Sequence, residues 1–142
     1  ATLETAGVRG MKYVPDGANL GSPDNDLILM RLSDALLMKA EAIARGGVST
    51  TTPASIKALF TARPGITTPM DLSTLTGIYT ARATELWEEG WRRNDMIRFG
   101  KYESPWTEKT NSDKNKRVFP IPQTAIDGAS NLPGYLKQNA GY

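Results

Sequence analysis

The chain contains no cysteine and no histidine. The first absence excludes disulfides, thiolate metal sites and thiol nucleophiles, and leaves the redox compartment undetermined. The second excludes His-assisted nucleophilic triads and His-ligated zinc. Neither sign of charge dominates: 17 basic residues face 15 acidic ones, a formal net charge of +2. That balance lacks the basic footprint a phosphate backbone selects, so nucleic acid is not expected as a partner. No apolar run approaches the roughly 20 residues of a membrane-spanning helix. The opening ATLETAGVRG has neither the charged nor the apolar region of a signal peptide, so any export signal is expected outside these residues.

What is present suits one ordinary globular unit, with 142 residues, 39% of them hydrophobic and 23% charged. Up to residue 26 the chain carries Gly7, Gly10, Pro15, Gly17, Gly21 and Pro23 and reads as irregular. A helix is predicted over 26–45, where LILMRLSDALLMKAEAIAR is rich in helix formers and Gly46-Gly47 supplies a stop. Leu29, Leu32, Leu36, Ala40 and Ile43 form one stripe of it, and Ile28, Ala35, Met38 and Ala42 another, which predicts burial from two sides. Pro53 opens a short second helix, ASIKALFTAR, that Pro64-Gly65 closes. A long helix is predicted over 75–99 with Gly100 as terminator, and its stripe Tyr79, Ala83, Leu86, Gly90 marks Gly90 as a close-packing residue. Beyond Lys101 the chain is polar to Arg117, and VFPIP with the Gly/Asn/Pro-rich tail shows no helical period, so an irregular tail over the helices is expected. Two long helices resemble a helical-hairpin repeat unit, although a solenoid core needs about three repeats to close.

Three segments then become specific: RLSDALLMKAEAIARGG, ELWEEGWRRNDMIRFGKY, and VFPIPQTAI followed by KQNAGY. In this order and spacing they resemble the C-terminal signature of the SusD/RagB family of outer-membrane nutrient-binding proteins. The resemblance implies an all-α, SusD-like fold: a tetratricopeptide-type helix pair, long irregular loops and an extended C-terminal tail. It implies a surface lipoprotein that binds oligosaccharide, performs no catalysis, needs no cofactor, and passes cargo to a SusC-like TonB-dependent transporter. Members of the family run to several hundred residues, with a signal peptide, an anchoring cysteine and further helix pairs ahead of this region. Residues 1–142 are therefore expected to be the C-terminal part of such a domain, with the missing N-terminal part as a packing partner. The sequence departs from the family pattern at IKALFTARPGI, where an Asn-x-Val-Arg-like segment is usual, and at NLPGYL, which interrupts the usual Asn-Pro-Asn-Leu run. Peptide cargo, or a helical-repeat scaffold that contacts protein, are the alternative readings.

The candidate chemistry has to be weighed against structural roles. Glu85, Glu88, Glu89 and Asp95 could supply the carboxylate pair of a glycosidase, about 5 to 9.5 Å apart. Arg82, Arg92, Arg93 and Arg98 are interleaved at helical spacing, however, which predicts a counter-ion within the helix for each acid and a low pKa. Arg31 and Glu41 lie on the apolar first helix, where charge calls for a structural partner. Sugar recognition uses aromatic faces flanked by polar groups. Trp87 and Trp91 stand four apart and suit either a platform or helix packing. Tyr102 and Trp106 fall in a polar loop that continues to Asn111, where an exposed ring lacks a packing role, and Tyr13 lies in the Gly-rich opening. The expected ligand contacts are therefore Trp106, Tyr102, Asn111 and Tyr13. Phe119-Pro120-Ile121-Pro122 reads as a rigid strap. Asp113 and Asp127 show no EF-hand spacing, so no metal site is assigned.

Overall fold

The computed structural model describes residues 12–13, 26, 28–66, 70–110, 113–129, 131–132 and 134–142. Among them the chain is all-α, with no strand and one isolated bridge between Trp106 and Lys109. Two compact units are present, Ala1–Trp91 and Arg92–Tyr142.

The first unit contains α1 (Leu32–Ala44), α2 (Pro53–Thr61) and α3 (Leu75–Glu85). Helix α1 begins later than residue 26, because Arg31 is extended at φ −139° and ψ 169°. It stops where expected: Gly46 takes φ 99° and the Gly47 amide donates to the Ala42 carbonyl at 2.8 Å, as a left-handed C-terminal glycine permits. Helix α2 opens on a reciprocal cap. The Thr52 hydroxyl accepts from the Ser55 amide and the Ser55 hydroxyl accepts from the Thr52 amide, both at 3.1 Å, with Pro53 in the first turn. Thr74 caps α3 by accepting from the Gly77 amide at 3.0 Å.

Helix α1 packs on both α2 and α3. The core between them is Leu37 and Ala40 of α1, Ile56 and Phe60 of α2, and Ile78 and Ala81 of α3, closed by Leu72 and Leu86. Each large side chain buried there contributes roughly 1.5–3 kcal/mol relative to exposure. The buried face of α1 shares Ala40 with the predicted stripe but otherwise differs from it. Asp34, Leu37, Ala40 and Glu41 are buried, whereas Leu29 is 75% and Leu32 73% exposed. Burial is from one side, because two buried acidic residues occupy the α1 face that α2 and α3 cover.

The predicted helix 75–99 is two helices. α3 ends at Glu85, residues 86–90 form a turn, and α4 (Arg92–Arg98) starts the second unit. Glu88 at φ 61° and Gly90 at φ 79° are both left-handed, which an α-helix cannot contain. Cations satisfy the freed carbonyls at the end of α3. Arg31 Nη2 donates to the Glu85 carbonyl at 2.5 Å, and Lys12 Nζ donates to the carbonyls of Glu85 at 2.6 Å and Trp87 at 3.0 Å. A Cβ on Gly90 would meet nothing within 4 Å, so this glycine serves backbone conformation rather than close packing. Trp87 and Trp91 consequently leave the helix, and no helical platform forms.

In the second unit the tail is tied by its own end. The Gln138 carboxamide accepts from the Ile121 amide at 2.8 Å and donates to the Ile121 carbonyl at 2.9 Å. Asn139 Nδ2 donates to the Phe119 carbonyl at 2.7 Å, and the Tyr142 hydroxyl donates to the Val118 carbonyl at 2.9 Å. The terminal QNxGY residues thus clasp the VFPI strap. Arg93 of α4 holds the strap from its other end, donating to the carbonyls of Lys116 at 2.9 Å and Arg117 at 2.8 Å. The tail is less irregular than predicted, with a 3-10 turn at Lys114–Arg117 and α5 (Gln123–Gly128). Six residues are too few for a helical period to show in sequence.

Candidate functional site

An exposed aromatic of the second unit stands in a tight turn at Trp106. Its backbone and that of Lys109 exchange two hydrogen bonds, at 3.1 and 2.9 Å, closing the tight turn Trp106-Thr107-Glu108-Lys109. The Lys109 ammonium lies 4.7 Å from the Trp106 ring centroid and 5.1 Å from that of Tyr102. It also donates to the Tyr102 carbonyl and, at 3.2 Å, to that of Ser104. Lysine therefore organises the two rings that the sequence singled out.

The rings are not equivalent. Trp106 is 51% exposed. Tyr102 is half-buried, its hydroxyl donates to the Lys116 carbonyl at 2.9 Å, and the Arg93 guanidinium sits 5.4 Å from its ring centroid. Trp106 thus presents an open face, and Tyr102 braces the loop behind it. Tyr13 is exposed but belongs to the first unit. Asn111 lies outside the described residues. Sequence reasoning missed Lys109 and Arg93 as partners of these rings; Lys109 follows Trp106 closely in the chain, whereas Arg93 reaches Tyr102 from α4.

Glu85 and Glu89 are engaged by distant cations rather than by their own helix. Glu85 accepts from Arg63 Nη1 at 2.8 Å and Nη2 at 2.6 Å and from Arg31 Nη1 at 2.7 Å. Burial pushes this carboxyl up, but the hydrogen bonds from Arg63, Arg31 and Ser33 outweigh it and hold the group down at about 2. Glu89 accepts from Arg31 Nε at 2.9 Å and from Lys12, and is likewise held below its ordinary value against the opposing effect of burial. Arg82 pairs with Asp34 of α1. Asp95, paired with Arg98 three positions on, takes the predicted helical counter-ion. Arg31 and Glu41 have structural partners, Glu41 accepting from Arg45 Nε at 2.9 Å. A general acid needs a raised pKa near neutrality, and Glu85 and Glu89 are driven the other way.

A cavity of about 400 Å³ opens between the end of α2 and the exposed face of α3. Arg63 and Glu85 stand on one side and Asp71 and Thr74 on another, with Thr80 and Thr84 of α3 between them. Gly77 is required here, since a Cβ on it would fall 2.3 Å from the Asp71 carbonyl oxygen. The sequence signal was a run of threonines at four-residue spacing, Thr76, Thr80 and Thr84.

Comparison with known proteins agrees with the signature segments. The SusD family matches residues 5–142. The chain belongs to the SusD family. The starch-binding protein SusD of Bacteroides thetaiotaomicron is 31% identical to it over 147 residues, covering 95% of this chain and 25% of that protein. The chain thus spans about a quarter of the length of this SusD relative. No solved structure gives a significant match. Among the described residues no helix is long and apolar enough to cross a membrane.

Proposed function

We propose that this chain is the C-terminal part of a cell-surface protein that captures glycan without hydrolysing it and passes the cargo to a SusC-like TonB-dependent transporter in the outer membrane. The observation that carries this reading is membership of the SusD family together with a relative named as starch-binding. Two features support it. The carboxylates that a glycosidase would need are held ionised by arginine and lysine. An indole face stands open at Trp106, suited to the C–H side of a pyranose ring. Anchoring at the surface belongs, in this reading, to a lipid-bearing N-terminal region of the longer protein.

Calorimetry of the full-length protein against a panel of soluble polysaccharides tests the proposal, with Trp106→Ala beside the parent. Binding of a glycan without turnover is expected, weakened in the variant at unchanged thermal stability. Turnover by the purified protein, or no binding to any glycan, would overturn it.

A second reading has its own observation. Leu29, Met30 and Leu32, at and just before the start of α1, are exposed apolar side chains of the kind that pack against protein. They fit the larger helical domain of which this chain would form the last part, and equally the scaffold alternative, in which the helices contact the transporter. Leu32→Glu that abolishes transporter association while leaving glycan binding intact would favour the scaffold.

A further inference from the structure

The α2–α3 cavity has an unusual balance of donors and acceptors. The Thr80 hydroxyl gives its proton to the Thr76 carbonyl at 3.1 Å, and Thr84 gives its proton to the Thr80 carbonyl at 3.1 Å. Thr74 donates to Asp71 Oδ2 at 2.8 Å while accepting from the Gly77 amide. Three hydroxyls at the cavity have therefore spent their only proton and can only accept. Asp71 adds a carboxylate held ionised by Ser73 and Thr74; its Oδ1 already accepts from the Ser73 amide and hydroxyl, and its Oδ2, which accepts from Thr74, retains acceptor capacity. The guanidinium of Arg63 uses one N–H on each nitrogen, on the Phe60 carbonyl and Glu85, so two of its five N–H groups remain. Between these groups the wall is apolar, with Ile66, Met70 and Ala81.

An acceptor-rich wall with an apolar floor favours a ligand carrying many O–H donors and a C–H face. It offers no net cationic charge to an anion, because the carboxylates Asp71 and Glu85 balance the guanidiniums of Arg63 and of Arg31, which also pairs with Glu85. A volume of about 400 Å³ lies within the range of small-ligand clefts. We infer that the α2–α3 cavity is a subsite for a neutral saccharide unit, donating its hydroxyls to Thr80, Thr84 and Asp71 and accepting from Arg63. The inference rests on the glycan-capture reading and adds to it a location separate from Trp106 and a selectivity for uncharged sugar.

The test is calorimetric titration of the full-length protein with neutral malto-, cello-, manno- and xylo-oligosaccharides and with oligogalacturonate. Thr80→Leu fills the cavity on an exposed helix position with a better helix former, and Thr84→Val removes one acceptor at nearly constant shape. At least a tenfold loss of affinity for the bound neutral oligosaccharide is expected in Thr80→Leu and a three- to tenfold loss in Thr84→Val, with unchanged circular dichroism. Neutral binding that both variants retain in full would overturn the subsite and leave glycan capture standing. Oligogalacturonate bound as tightly as the neutral sugar would overturn the selectivity argument. Binding of an oligolysine peptide, lost in Thr80→Leu, would reassign the cavity to cationic side chains. A parent protein that binds none of the oligosaccharides would remove the capture reading and the subsite together.

Discussion

Arg82 of α3 and Asp34 of α1 face each other across the first unit, Nη1 to Oδ1 at 2.7 Å, with side chains 2% and 1% exposed. The pair joins positions 48 residues apart, and the other Asp34 oxygen, Oδ2, is buried with no hydrogen-bond partner among the described residues. An ion pair this deep is costly to form and costlier to break, because removing one member strands the other charge.

Arg82→Met is therefore expected to destabilise the first unit by about 3–5 kcal/mol, and combining it with Asp34→Leu to recover most of that loss. Urea denaturation followed by circular dichroism measures both. A double variant no more stable than the single one would show that the pair itself is not the source of the cost.

The cluster around Glu85 predicts a specific acid response. The folded-state value, about 2, lies below the ordinary 4.5, so this group contributes stability that is full above about pH 4.5 and disappears as pH falls towards about 2. Glu85→Gln should cost about 1–2 kcal/mol at neutral pH, its two guanidinium partners being partly solvated. The gap between parent and variant should close across that acid window. A gap that persists unchanged to pH 2 would show that the loss does not come from ionisation.

Gln138 makes a closed pair of hydrogen bonds with the backbone of Ile121 and accepts a third, from the Asn139 amide at 3.0 Å. Gln138→Leu keeps the bulk and loses the bonds, each worth roughly 0.5–1.5 kcal/mol net. The second unit should lose about 1.5–4.5 kcal/mol, and the Ile121 amide should exchange with deuterium at least tenfold faster. Unchanged protection at Ile121 would refute the clasp.

The turn after α3 holds a non-glycine residue in the left-handed region. Glu88→Gly should relieve strain and raise stability by about 0.5–1 kcal/mol, while Gly90→Ala should lower it by about 1–2 kcal/mol. Thermal melts of the two variants should move in opposite directions.

Much of the local architecture was legible in the chain. Pro53 after Thr52, the Gly46-Gly47 stop and the terminator at Gly100, which takes φ 66°, are signals complete within one turn of backbone. The signature segments were equally readable, and VFPIP with QNAGY proved to be two halves of one clasp. The aromatic candidates Tyr102 and Trp106 were found by their place in a polar loop, and the structure separated them: Trp106 is 51% exposed, whereas the Tyr102 hydroxyl is spent on Lys116.

The sequence by itself thus determined the opening at Pro53 and the glycine stops, because these depend on residues one to four positions apart, and the helical family through the order of its signature segments. Only the tertiary structure decided which face of α1 is buried, that the helix breaks after Glu85, and that Arg31 reaches Glu89 from 58 positions away. Those outcomes follow from the competition of distant charges for the same carboxylates and carbonyls. Spacing along one helix pointed Glu85 to a neighbouring arginine; packing brought it Arg31 and Arg63, and with them the end of α3 and one wall of the α2–α3 cavity.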